Sequence, residues 1–282
     1  MINLIGRLLL SFENISPLRN ILFALLCVIS FEAGAQVKDT TKKKLADTIK
    51  KDLLTAPDTV KHLHSKTLAL LPPAIFVAYG VSSFIIHPVR RFDYYVNGNF
   101  NKYYPKYPGS IENYFQFAPV VMVYGLNLVG VSGKNRFIDR TALLGLSAAF
   151  AGISVYGLKN TTHRLRPNKA NDLSFPSGHT ANAFMGAEFL AQEYSGKSPV
   201  YGIVAYSFAI TTGVMRMYHR DHWFSDVIAG AGFGILSTKA AYLVYPYVRN
   251  ALTHTDKNGK HTTMIMPMYQ DGVKGLSFAM QL

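Results

Sequence analysis

The chain has 282 residues, 49% hydrophobic and only 16% charged, with 29 Lys and Arg against 16 Asp and Glu and a net charge of +13. That apolar share, with 17 Tyr and 18 Phe, excludes a disordered chain, and a single cysteine excludes a disulfide scaffold or a cysteine-rich metal site. A basic, apolar chain either binds nucleic acid or buries its apolar residues in membrane spans and carries its charge in loops.

The first 35 residues read as a targeting segment. Arg7 and Arg19 flank the approach to an apolar run over 21–31, and Ala33-Gly34-Ala35 supplies small residues ahead of Gln36. The alternative is a short uncleaved anchor. Residues 36–66 form a polar, lysine-rich linker. Bilayer helices need roughly 20 apolar residues. Stretches 67–89, 113–133, 141–158 and 198–215 carry no charge, and 227–248 is broken only by Lys239. A further segment, 180–194, is apolar but holds Glu188 and Glu193. Carboxylates at membrane depth require the bundle interior or an interface. Basic residues fall between and before these runs, at Lys42 to Lys44, Lys50, Lys51, Lys134, Arg136 and Arg140. Such placement is loop charge, so a membrane is the expected partner and nucleic acid is not.

Residues 90–114 are dense in tyrosine (Tyr94, Tyr95, Tyr103, Tyr104, Tyr107, Tyr114), and polar-tipped rings favour the membrane–water boundary. In the tail 249–282, Met264, Met266 and Met268 alternate, Asp271-Gly272 is a turn signal, and Leu276, Phe278 and Met280 alternate again. The expected architecture is all-α: a six-helix membrane-embedded bundle over 67–248, with a small C-terminal β-hairpin.

Three short motifs carry chemistry. In the first, Lys159 and Arg166 lie seven positions apart at the end of the third apolar helix, before Pro167. A point charge and a planar fork can converge there on one anion. In the second, Ser177, Gly178 and His179 open the next helix. Its exposed N–H groups and positive dipole end suit an anion, and His179 can exchange a proton beside it. In the third, Arg216 is followed by His222 and Asp226, which are four apart and share a helical face. A carboxylate so placed can fix the imidazole tautomer and free the other nitrogen for attack. If successive helices are antiparallel, all three motifs fall at one end of the bundle.

At these residues the sequence resembles the type 2 phosphatidic acid phosphatase (PAP2) family, which shares its site with vanadium haloperoxidases. The family pattern is Lys, six residues, Arg-Pro; then Pro-Ser-Gly-His; then Ser-Arg, five residues, His, three residues, Asp. All three occur here in order, with Met215 standing where the family often has Ser. The resemblance covers roughly 67–248. It implies a phosphatase in which His222 is the nucleophile, Asp226 orients it and His179 is the general acid. Lys159, Arg166, Arg216 and the backbone N–H groups of Ser177 and Gly178 would hold the phosphoryl oxygens. It implies no metal and no other cofactor, because fixed cations take that role. His163 and His219 read as rim or solvated residues.

The expected substrate is a lipid phosphate or a polyprenyl diphosphate. Rival readings are a vanadate-dependent haloperoxidase, a soluble periplasmic acid phosphatase, and a non-enzymatic lipid-phosphate-binding membrane protein. The expected location is the inner membrane with the site facing the periplasm. Positive loops and a cleaved leader give opposite orientations unless one segment is re-entrant, and Pro72-Pro73 mark the first run as the candidate.

Overall fold

The structure, a computed structural model, describes residues 67–103, 109–255, 262–270 and 273–280. The targeting segment and the linker lie outside the described residues. After a 3-10 turn (Thr67–Leu70) come α1 (Leu71–Ser82), α2 (His87–Tyr103), α3 (Glu112–Phe115) and α4 (Ala118–Leu128). Then follow α5 (Phe137–Thr162), α6 (Gly178–Tyr194), α7 (Val200–Tyr218) and α8 (Phe224–Leu252). Strands β1 (Thr253–Thr255), β2 (Thr262–Gln270) and β3 (Val273–Met280) close the order.

The expected all-α, six-helix bundle with a hairpin is therefore corrected on both counts. Eight α-helices occur among the described residues, and the tail is a three-stranded antiparallel meander in the order β1-β2-β3. Two of the six apolar runs break into pairs of helices, which accounts for the difference. Run 67–89 stops at Ser82 and restarts at His87 with an 89° bend. Pro88 has no N–H to continue the earlier ladder, and Ser82 and Ser83 hydroxyls bond back to the carbonyls of Tyr79 and Gly80 at 2.7 Å. Pro72 and Pro73, by contrast, sit in the first turn of α1, where proline is tolerated, and start the helix rather than break it. Run 113–133 divides into the single turn of α3 and the eleven residues of α4.

Among the described residues, three helices are long and apolar enough to cross a membrane: Phe137–Thr162, Val200–Tyr218 and Phe224–Arg249. The bent pair makes up to four. The chain is thus a multi-pass membrane protein. Helix α6 is the axis of the bundle, packed by α4, α5, α7 and α8, and nearly every residue from Thr180 to Leu190 is buried. Burial on all sides explains how this segment holds Glu188 and Glu193, because both are paired within the protein. Lys239 donates to Glu188 at 2.7 Å. Glu193 accepts from Arg140 at 3.2 Å, from the Asn135 side chain at 2.5 Å and from Tyr242 at 2.5 Å. The Glu193 cluster fastens the end of the bundle remote from the three motifs.

Helix α8 approaches α6 closely because it presents glycine. A Cβ at Gly230 would stand 2.6 Å from the Ser177 carbonyl oxygen, and one at Gly234 would stand 2.3 Å from that of Ala181. Both obstacles are backbone, which cannot swing away. Gly234→Ala is expected to destabilise the protein by about 1–3 kcal/mol or more, read as a lower unfolding midpoint in detergent. Gly152→Ala, where a Cβ meets nothing within 4 Å, is the control and should leave the midpoint unchanged or higher.

Candidate functional site

The three motifs meet at one end of the bundle. Helix α5 ends where His163 takes the left-handed conformation (φ 44°), which turns the chain into the loop carrying Arg164 and Arg166. That loop is tied to the connection between α7 and α8 by the Asn168 N–H, which donates to the Arg220 carbonyl at 3.0 Å. Ser174 N–H donates to the Arg164 carbonyl at 2.9 Å, joining motif one to the approach of motif two. Ser177 N–H donates to the Asp226 carbonyl at 3.0 Å, joining motif two to motif three. Lys159 extends beside Gly178, its Cε 3.9 Å from where a Gly178 Cβ would stand, and its Nζ donates to the Leu173 carbonyl.

The cations and imidazoles feel one another's charge. His222 is almost wholly buried, and burial pushes its pKa below the ordinary value, with Lys159 and Arg216 acting in the same sense against Asp226. His179 is lowered to about 4, first by burial and then by Arg216 and His222. Both rings are therefore neutral near pH 7. Nδ1 of His222 donates to the Ser174 carbonyl at 2.7 Å. A carbonyl only accepts, so the proton sits on Nδ1 and the Nε2 lone pair is free.

The i, i+4 spacing led to the expectation that Asp226 would orient His222 directly. Here the geometry differs: Asp226 Oδ2 is 3.8 Å from Nδ1, beyond hydrogen-bond range. That oxygen instead accepts from the Ser174 hydroxyl at 2.5 Å and from the Trp223 N–H at 2.9 Å. The carboxylate and the imidazole thus grip opposite ends of Ser174, one its side chain and the other its backbone. The backbone donors also differ from expectation. Ser177 N–H is used by Asp226, whereas Gly178, His179 and Thr180 N–H precede the first closed helical bond, Ala181 N–H to the Ser177 carbonyl at 3.0 Å.

Several site residues have no sequence signal of the same strength. Arg164 lies inside motif one, and its two terminal nitrogens are taken up by buried side chains. Its Nη1 reaches Asp226 at 2.5 Å, Ser225 at 2.9 Å and Ser83 at 3.1 Å, and its Nη2 reaches Asp93 at 2.6 Å. Asp93, wholly buried on α2, also accepts from Ser225 N–H and Oγ at 2.8 and 2.7 Å. From α3, Glu112 accepts from Arg216 at 3.3 Å and His219 at 2.9 Å, and Asn113 Oδ1 accepts from His179 Nε2 at 2.8 Å. His219 is thus held against Glu112 rather than solvated, while His163 pairs with Asp172 at 2.8 Å in an exposed position. Among the described residues, no three His, Cys, Asp or Glu side chains converge as a metal-holding group.

Residues 140–250 match the family model described as PAP2 superfamily. A lipid A 1-phosphatase of Porphyromonas gingivalis is 34% identical over 136 residues, covering 48% of this chain and 31% of that protein. A probable lipid phosphate phosphatase 4 of Arabidopsis thaliana is 30% identical over 150 residues, covering 38% of this chain and 49% of the relative. The chain therefore matches less than half of the length of each of these two relatives, 31% and 49%. A transmembrane PAP2 type phosphatidylglycerolphosphate phosphatase from Bacillus subtilis superposes with a TM-score of 0.46 and 20% identity, over 62% of this chain and 92% of that one. The matched stretch contains Lys159, Arg166, the Ser177 to His179 turn, Arg216, His222 and Asp226. By that match, residues 140–250, which hold all three motifs, are PAP2-superfamily sequence.

Proposed function

We propose that this protein is a metal-independent phosphatase that hydrolyses a lipid phosphate or diphosphate monoester through a phosphohistidine at His222. The observation that carries the reading is the Nδ1–H donation from His222 to the Ser174 carbonyl at 2.7 Å, which frees Nε2 inside a group of fixed cations. Nε2 attacks phosphorus, the bond to the leaving oxygen breaks, and His179 protonates that oxygen. His179 then takes a proton from water, the water oxygen attacks phosphorus, and the P–N bond breaks to release inorganic phosphate. His179 is neutral in the empty site, and a bound phosphoryl dianion raises its pKa so that it can carry the proton it delivers.

Lys159, Arg166, Arg216 and the N–H groups that open α6, Gly178 first, hold the phosphoryl oxygens as charge redistributes. Asp226 acts on His222 through Ser174. No cofactor enters, since three fixed cations supply the charge a metal would bring. The lipid nature of the substrate is supported by the membrane-spanning helices around the site and by relatives named for lipid A and lipid phosphate. Phosphatidate and polyprenyl diphosphates fit the same head-group chemistry. The site faces the periplasm from the inner membrane, which paired inside and outside reporters fused after residue 282 test directly.

His222→Ala should lower phosphate release from phosphatidate by about a thousandfold or more, and should abolish the acid-labile phosphoryl label trapped by quenching wild-type protein. Chelation with EDTA should leave wild-type turnover unchanged. Intact turnover in His222→Ala, or loss on chelation, counts against the proposal. Because protonation of His222 blocks attack and its pKa is lowered, the acid limb of kcat/KM should fall below 6.5, the ordinary histidine value. An acid limb above that value contradicts a buried neutral nucleophile. Ser174→Ala should reduce kcat roughly ten- to a hundredfold with KM little changed, since it removes a hydrogen bond to a charged group behind the nucleophile. Ser174→Thr, which keeps the hydroxyl, should restore part of the rate.

A further inference from the structure

Asp221 stands immediately before His222, and its carboxylate lies between two of the three cations assigned to the phosphoryl group. Oδ2 is 2.9 Å from Nη2 of Arg216, and Oδ1 is 3.7 Å from Nη1 of Arg166. Asn168 Nδ2 donates to Oδ1 at 2.8 Å and steadies the carboxylate in that place. The three side chains are 9%, 19% and 21% exposed for Arg216, Arg166 and Asp221, so solvent and salt screen these pairs less than surface pairs. Nε of each arginine is buried without a partner among the described residues, so one carboxylate does not exhaust the donors of the two forks.

The charge balance gives this contact a purpose. Arg216 is paired with Asp221 through Nη2 and with Glu112 through Nη1, and Asp221 also faces Arg166; Lys159 makes neither contact and donates to the Leu173 carbonyl. Glu112 is buried deep in α3 and also holds His219, whereas Asp221 is bound to the site by side-chain contacts that an entering anion can replace. Inorganic phosphate carries as much charge as the ester it came from, and every donor that binds the substrate also binds this product. A site of three uncompensated cations would retain it.

We propose that Asp221 is a positioning residue that limits phosphate affinity. Its carboxylate occupies Arg166 and Arg216 between turnovers, yields them to the phosphoryl group of the substrate, and reclaims them as inorganic phosphate leaves. This inference rests on the phosphatase reading of the site.

The test uses the full chain in detergent, with Asp221→Asn and Asp221→Ala. Inhibition constants for inorganic phosphate and for orthovanadate are measured against phosphate release from phosphatidate, together with the unfolding midpoint as phosphate is added. Both variants should bind phosphate and vanadate roughly three- to tenfold more tightly than wild type. KM and kcat should fall together, and phosphate should raise the unfolding midpoint by more than it does in wild type. The thermal reading needs no turnover and serves a variant with little activity. Unchanged or weaker phosphate inhibition with an unchanged thermal response overturns the proposal, and so does failure of both variants to fold, which makes Asp221 a structural clamp. A wild type that neither responds to phosphate and vanadate nor releases phosphate from any lipid phosphate refutes the phosphatase reading instead.

Discussion

The arrangement of the site depends on one buried guanidinium. Arg164 lies between Asp93 and Asp226, with both carboxylates fully enclosed, and also donates to Ser83 and Ser225. A single buried charge without a partner would be severely destabilising, so a cation flanked by two carboxylates is stable only as a complete group. Completing it requires the end of α1, the middle of α2, the loop after α5 and the start of α8 to be in place together. Asp226 is thereby held where it meets Ser174, and Ser174 where it meets His222.

A second polar group holds the other end of the bundle. Glu193, Arg140, Asn135 and Tyr242 join α5, α6 and α8 there, and a Cβ at Gly133 would stand 2.8 Å from Glu193. Midway, Glu188 joins Lys239, Gln192 and Tyr206 across α6, α7 and α8. In hydrocarbon, apolar side chains gain little by preferring one helix over another, and paired polar groups supply register. The glycines of α8 let that helix settle against α6 at the depth these pairs select.

The groups proposed to bind and react were legible because they lie close in sequence and their types are demanding. Lys159, Arg166, Ser177 to His179, Arg216, His222 and Asp226 all come to one end, as antiparallel helices require. What the sequence hid was long-range or backbone-mediated. Asp93 meets Ser225 across 132 positions, and Glu112 meets Arg216 across 104, so no local spacing announces either pair. The step from Asp226 to His222 through Ser174 was hidden for another reason. The i, i+4 spacing allowed a direct contact, and only the position of the Ser174 carbonyl rules it out. Helix number was misjudged because hydropathy records where apolar residues run and not where Pro88 and the serines before it end a hydrogen-bond ladder.

The contact between Asn113 and His179 bears on affinity. Asn113 is an exposed residue on a helix of a single turn, and it already accepts the proton on His179 Nε2. In the proposed mechanism, an oxygen that receives that proton replaces the amide, so substrate binding is an exchange of acceptors. The strength of this one hydrogen bond, held from a turn that also carries the buried Glu112, therefore enters the affinity of the proposed site.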